Sequence, residues 1–341
     1  MLEVRAAARD LLATILLASG VTDPARVGRE RLTIVTFHRV LPASQRAEYP
    51  LAGLAVTPQL FEWLLRWFAA HYECDTLARA CRRLAETRSR PILALTFDDG
   101  QADNLAEAGP ILDRVGLRAT FFVTVQAVES GAPLWHDRLA YAAAHAQRHH
   151  REALAAAVTR ILGAPLEGDG IAAPSALVGR AKALMPVERE ALIDAVEAAA
   201  GGPRRPTWDG MMGWDQLAAL VRAGHEVGSH SMSHALLPQC SDADLDREVA
   251  ESRRAIEARL GVVVESFCYP NGDFDERSVA AVRRAGYLRA VTGGWRPNGV
   301  EDPPFTLRRC DMVEETSLDR RAQASAARIA WRLSGLHPGL R

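Results

Sequence analysis

The segment Ile92-Leu93-Ala94-Leu95-Thr96-Phe97 is short, apolar and stopped at once by Asp98-Asp99-Gly100. A run of this kind, bounded by a turn signal, predicts a buried strand. Neighbouring side chains on a strand point to opposite faces. At a strand's end that rule relaxes, and two adjacent carboxylates can turn toward one cavity. Carboxylates are almost never buried unless they are paired or bound to a metal. The Asp98-Asp99 pair therefore demands a cation or a surface.

A matching cation site lies further along. Val227-Gly228-Ser229-His230-Ser231-Met232-Ser233-His234 leaves another strand-like segment and ends in two histidines four residues apart. That spacing predicts both imidazoles on one face of a helical turn. Two histidines and one carboxylate form a common three-ligand set for catalytic zinc, with water in the open position. The remaining carboxylate is then available as a base. Taken singly, an Asp-Asp pair is mostly a solvated turn and a His-x3-His mostly a surface feature. Together, each at a strand's end, they point to a metal centre.

The 341 residues, 48% of them hydrophobic and 24% charged, suffice for one large α/β barrel or two domains. A net charge of −1, with acids and bases interspersed, gives no field for polyanions, so no nucleic-acid partner is expected. The five cysteines are widely spaced and lack a Cys-x-x-Cys, which argues against disulfides and against a thiolate zinc site. Reduced thiols fit a cytoplasmic protein, with export as the alternative. Arg5 and Arg9 precede the apolar run Leu11–Ala18, but so do the acidic Glu3 and Asp10, and the run is too short to span a bilayer. An N-terminal amphipathic helix is expected, with peripheral membrane contact as a minority reading.

Strands are expected at 32–40, 92–97, 119–125, 226–229, 266–269 and 288–292. Helices are expected after Thr57-Pro58 and over 104–115, 216–223, 245–260, 276–285 and beyond 316. Such alternation implies a parallel sheet, and in barrels of this type chemistry gathers at the strands' C-terminal ends. His38, Asp98-Asp99, His230 and Pro270 each follow an expected strand. Between 135 and 205 the strands vanish and alanine dominates, which reads as a helical insertion. The expected plan is an N-terminal helix over 1–30, a barrel over 31–315 interrupted by that insertion, and a helical tail over 316–341.

These residues resemble the polysaccharide deacetylases with a NodB-like domain, carbohydrate esterase family 4. Thr96-Phe97-Asp98-Asp99-Gly100 matches the first motif of the family and His230-Ser231-Met232-Ser233-His234 the second. Phe37-His38-Arg39-Val40 suggests the branch that accompanies exopolysaccharide gene clusters. The resemblance implies a distorted (β/α) barrel of about seven strands. It implies a divalent metal, zinc first, on Asp99, His230 and His234, with Asp98 as general base. Its substrate would be an N-acetylated poly- or oligosaccharide, with contact to a lipid-linked glycan as a further option, and acetate the product.

Two motifs depart from the family pattern. Cys268-Tyr269-Pro270-Asn271-Gly272 places cysteine where many members carry the arginine that orients the base. The resemblance places an oxyanion-binding backbone N–H at Asn271, with Pro270 and Gly272 shaping the turn. No Leu-x-His stands in register to supply the general acid, and Leu336-His337 falls in the tail. His38 is the candidate acid, although a core histidine is an equal reading. Trp295, beside Gly293-Gly294, is the expected sugar-stacking residue, while His136, after Trp135, reads either as a cleft or as a packing residue. Cys268 itself reads as a small buried filler. A small-molecule amidase or cyclic-imide hydrolase, and a catalytically impaired homologue, are the alternatives.

Overall fold

The computed structural model describes residues 2–86, 88–163 and 173–337. Its centre is a parallel sheet of β1 (Leu32–Phe37), β2 (Ile92–Phe97), β3 (Thr120–Val123), β4 (Glu226–Ser229), β5 (Ser266–Cys268), β6 (Arg289–Thr292), β7 (Leu307–Arg308) and β8 (Cys310–Asp311). Pairing runs in the order β8-β1-β2-β3-β4-β5-β6-β7. Only Arg309 separates β7 from β8, so the sheet's two edges meet at this residue and the sheet is a nearly closed barrel. With β7 and β8 taken as one interrupted stave, the barrel has seven, as the resemblance implies. Closure removes the unpaired edges that an open sheet would present.

Every residue of β1 and β2 is buried. Helices cover the outer face and side chains fill the inside, so neither face meets water. Leu32, Ile34, Ile92, Ala94, Phe122, Cys268, Val291 and Leu307 pack together on the inner face. Val35, Phe37, Leu95, Phe97, Phe121 and Phe267 point outward and join Leu64, Phe68, Leu112, Leu217 and Ile256 of the surrounding helices. The same alternation carries Thr36, Thr96, Asp98 and Arg309 to the inner face.

The helix Pro58–His71 begins as the sequence predicts, with Thr57 Oγ1 accepting from the Leu60 N–H at 3.4 Å. The helix expected over 104–115 opens with a wide π turn over Asn104–Ala108 and continues through Pro110 as Gly109–Val115. A second π turn, Arg247–Glu251, interrupts the helix expected over 245–260. Such turns often mark functional positions. Four helices, Trp135–His149, Arg151–Leu162, Pro174–Ala181 and Pro186–Ala199, fall within the stretch read as an insertion. Their apolar faces share a core with Leu41, Tyr49 and Leu51 of the segment after β1, which seats them at the C-terminal mouth of the barrel. The helix Leu2–Ala18 is fastened near the other terminus, with Asp10 Oδ1 3.4 Å from Arg328 Nε. No helix of the described residues is long and apolar enough to cross a membrane.

Candidate active site

Strand register brings the expected residues to one rim. Phe37 pairs with Phe97, so His38 and Asp98 leave the sheet side by side. Val123 pairs with Ser229 and Ser229 with Phe267, so His230 emerges next to Cys268. Asp99 then takes φ 76°, which turns its carboxylate into the barrel mouth instead of onto the outer face. Of the five non-glycine residues with positive φ among those described, Asp99, Ser231, His234 and Asn271 all lie at this rim. Backbone strain concentrated in this way is characteristic of functional sites.

Asp99 Oδ1 lies 3.6 Å from His230 Nε2 and 3.4 Å from His234 Nε2. Ligand atoms about 2.0–2.1 Å from a tetrahedral ion stand about 3.3–3.5 Å apart, so these separations fit zinc-sized coordination. Asp99 Oδ1 is also buried without a hydrogen-bond partner. A bound cation would satisfy this buried carboxylate oxygen, which faces two imidazole nitrogens. His230 Nδ1 lies 2.9 Å from the Cys268 carbonyl. That carbonyl can only accept, so Nδ1 carries the proton and Nε2 turns its lone pair to Asp99. Burial pushes the Asp99 carboxyl up, but His234 and His136 outweigh it and hold it well below the usual range.

The two histidines do not share a helical turn. Residues 230–234 form a loop in which Ser231 and His234 are left-handed, and the rings stand 4.8 Å apart. Glu248, from the second π turn, shapes that loop by accepting from the N–H groups of Met232 and Ser233, at 3.1 and 2.9 Å, and from Ser233 Oγ at 2.7 Å. Periodicity could not have indicated Glu248, because it acts on backbone.

The arginine absent at Cys268 is supplied from elsewhere. Arg309 grips Asp98 with both forks, Nη1 to Oδ1 at 2.7 Å and Nη2 to Oδ2 at 2.8 Å. It reaches Asp98 because it follows Leu307 on the inner face. Thr36 and Thr96 hold Nη1 at 3.1 and 3.3 Å, and Cys268 Sγ lies 3.1 Å from Nη2. Cys268 is buried, as expected, yet it is more than filler: its small side chain leaves the space the guanidinium occupies. Burial pushes the Asp98 carboxyl up, but Arg309, with help from His230 and His38, brings it down to about 2.

His38 is not a core histidine. It lines the cleft above the rim, half-buried, with Nε2 3.8 Å from Asp98 Oδ2. His136 belongs to the cleft as well: its buried Nε2 has no hydrogen-bond partner and lies 3.8 Å from Asp99 Oδ2. Asn271 and Gly272 line the cleft, whereas Pro270 is buried. Asn271 takes φ 59°, and a Cβ on Gly272 would meet the Gly293 nitrogen at 2.6 Å, so only glycine fits that turn. Trp295 is placed elsewhere. It is 6% exposed, within the outer core, with Nε1 donating to the Arg332 carbonyl at 2.6 Å. The tryptophan that lines the cleft is Trp135. His337 packs on Trp331, at 4.6 Å between rings, away from the cleft.

Burial lowers His230 to about 4, and burial together with Arg118 lowers His225 to about 4, from an ordinary 6.5. Between those values the unfolded chain binds more protons than the folded one, so stability rises with pH across that window. Without added metal, the Tm is expected to fall as pH drops from about 6.5 to about 4. A Tm flat over that interval would contradict the neutral, buried state of these histidines.

Solved structures share this fold. The structure resembles a Streptococcus pyogenes deacetylase solved with acetate, at 16% identity and TM-score 0.57, over 84% of this chain and 94% of that one. It also resembles IcaB from Ammonifex degensii, at 16% identity and TM-score 0.54, over 84% and 93% of the two chains. A de-N-acetylase from Aggregatibacter actinomycetemcomitans aligns at 13% identity and TM-score 0.55, over 89% of this chain and all of that one. At such identities the likeness is one of fold. No curated protein matches the chain. The family model for polysaccharide deacetylase matches residues 85–290, which contain both the Asp98-Asp99 and the His230–His234 motifs, and the chain belongs to the polysaccharide deacetylase family.

Proposed function

We propose that this protein is a metal-dependent N-deacetylase that removes acetyl groups from amino sugars of a glycan. The observation that carries the reading is the Asp99, His230 and His234 cluster beside an Asp98 gripped by Arg309, at the floor of one cleft. Zinc suits two imidazoles and a carboxylate, and when bound it would polarise the acetyl carbonyl and make an attacking water more acidic.

The chain's own residues account for the proton movements. Asp98 is ionised at any physiological pH and takes the proton from the attacking water. Its low basicity is a cost of the Arg309 pairing, which fixes the carboxylate in place. The water oxygen bonds to the acetyl carbon, and the left-handed turn at Asn271 presents a backbone N–H to the oxyanion. His38, partly open to solvent, gives a proton to the amine nitrogen as the carbon–nitrogen bond breaks. Acetate and the free amino sugar leave.

His234→Ala is expected to weaken zinc binding by about 10²-fold or more, read by chelator competition. Retention of tight zinc would remove His234 from the ligand set. His38→Ala is expected to lower kcat by about 10²-fold and to erase the alkaline limb of the pH–rate profile, with zinc content unchanged. An unaltered profile would clear His38 of the acid role. Acetate release across a panel of acetylated glycans and small amides, with and without zinc, tests the reading as a whole. Release from small amides alone would favour the amidase alternative.

A further inference from the structure

We infer that the site admits an acetylated amino sugar at the end of a glycan, or a glycan of one or two sugars, and excludes internal residues of a long chain. This rests on the deacetylase reading and specifies what that site can take. A polymer deacetylase that works on internal residues needs a groove open at both ends. Here the helical insertion crosses the barrel mouth and is tied down on two sides.

Its first tie is Asp137, which accepts from Tyr49 Oη at 2.8 Å and from Gln101 Nε2 at 2.9 Å. These bonds hold the start of the Trp135–His149 helix against the segments that follow β1 and β2. All three side chains are buried, so the tie is not a surface contact. The second tie is on the far side. Lys182 Nζ contacts Asn271 Oδ1, and the Lys182 carbonyl accepts from Gln239 Nε2 at 2.8 Å. Arg189 of the last insertion helix bonds the other end of the Gln239 amide. The insertion therefore spans from the β1 side of the mouth to the turn after β5.

What lies beneath this bridge is small. The cleft has a volume of about 370 Å³, near the lower end of the roughly 300–1,000 Å³ of pockets that hold a single small molecule. Trp135, His136, Val178 and Lys182 of the insertion face the metal-binding residues across it. His136 comes within 3.8 Å of Asp99, so the insertion forms part of the site and is not a distant cap. A sugar seated with its acetyl group at Asp99 fills this space, and its neighbours along a chain in both directions would meet the bridge. Trp135 offers a face for that sugar ring, and Lys182 offers an ammonium to its hydroxyl or acidic groups.

The test uses the zinc-loaded protein and N-acetylated oligomers of glucosamine and of galactosamine, from one to six residues. Expected is a kcat/KM that changes less than about threefold from dimer to hexamer, with mass spectrometry placing the first lost acetyl on a terminal sugar. A kcat/KM rising about tenfold or more with length, or a first acetyl lost from an internal sugar, overturns the inference and leaves the deacetylase reading standing. Acetate from none of the oligomers overturns both. Lys182→Ala combined with Gln239→Ala, which together remove the Lys182–Asn271 contact and the Gln239 bonds to Lys182 and Arg189, is expected to raise the hexamer-to-dimer ratio by about fivefold. An unmoved ratio overturns the bridge as the excluding element.

Discussion

Arg309→Ala is expected to lower kcat by about 10²-fold or more and to destabilise the protein by about 3–5 kcal/mol. The variant leaves the Asp98 carboxylate buried with its bidentate partner gone, and breaking one side of a buried ion pair is far more damaging than its net strength suggests. Burial then pushes the Asp98 carboxyl's pKa upward, unopposed by Arg309. The acid limb of the pH–rate profile should move to higher pH, which a purely structural loss would not produce. The second half of this test exploits Cys268, whose Sγ is 3.1 Å from Arg309 Nη2. In an Arg309→Ala background, Cys268→Arg places a guanidinium at the position that many members of the family use. The double variant should regain about tenfold in kcat over Arg309→Ala alone, since the two sites share one partner and cannot be additive. If the double variant is no better than the single one, the two arginine positions are not equivalent.

Asp98→Asn is expected to lower kcat by about 10²–10⁴-fold without weakening zinc binding. The amide cannot take a proton from water, but it leaves Asp99, His230 and His234 untouched. Zinc content after dialysis and single-turnover acetate release read the two effects separately. Turnover near that of the unmodified protein would remove Asp98 as the base. Loss of zinc along with turnover would instead make Asp98 a ligand, which the grouping of Asp98 with His230 and Cys268 within one ligand-sized space makes a meaningful outcome.

Local sequence reading found what depends on local pattern. The apolar runs of β1 and β2, the Thr57-Pro58 helix start and the strand-helix alternation are set by neighbours a few residues apart, and the structure has them. The motif residues followed from the same logic, because strand ends in a parallel barrel share one rim. Arg309 was out of reach for a physical reason. β7 and β8 are two residues each, too short for a period-two signal, and the partner of Arg309 lies 211 residues away. Its only trace is the Arg308-Arg309 pair between Leu307 and Cys310, two positions that turn out buried. Trp295 misled because Gly293-Gly294 signals a loop, and that loop folds back over the outer core. The His230–His234 spacing suggested a helical turn, yet two left-handed residues in a loop bring the rings together equally well. His136 was legible only as one of two equal options, since a histidine after a tryptophan at a helix start carries no periodic signal of its own.

Titrating zinc into the metal-stripped protein, with acetate release from an acetylated glucosamine dimer followed at each addition, tests the central claim most directly. Release should climb in proportion to zinc and level off at one ion per chain, and His234→Ala should show no such climb. Release that survives complete stripping, or one tightly held ion that brings no release, would contradict it.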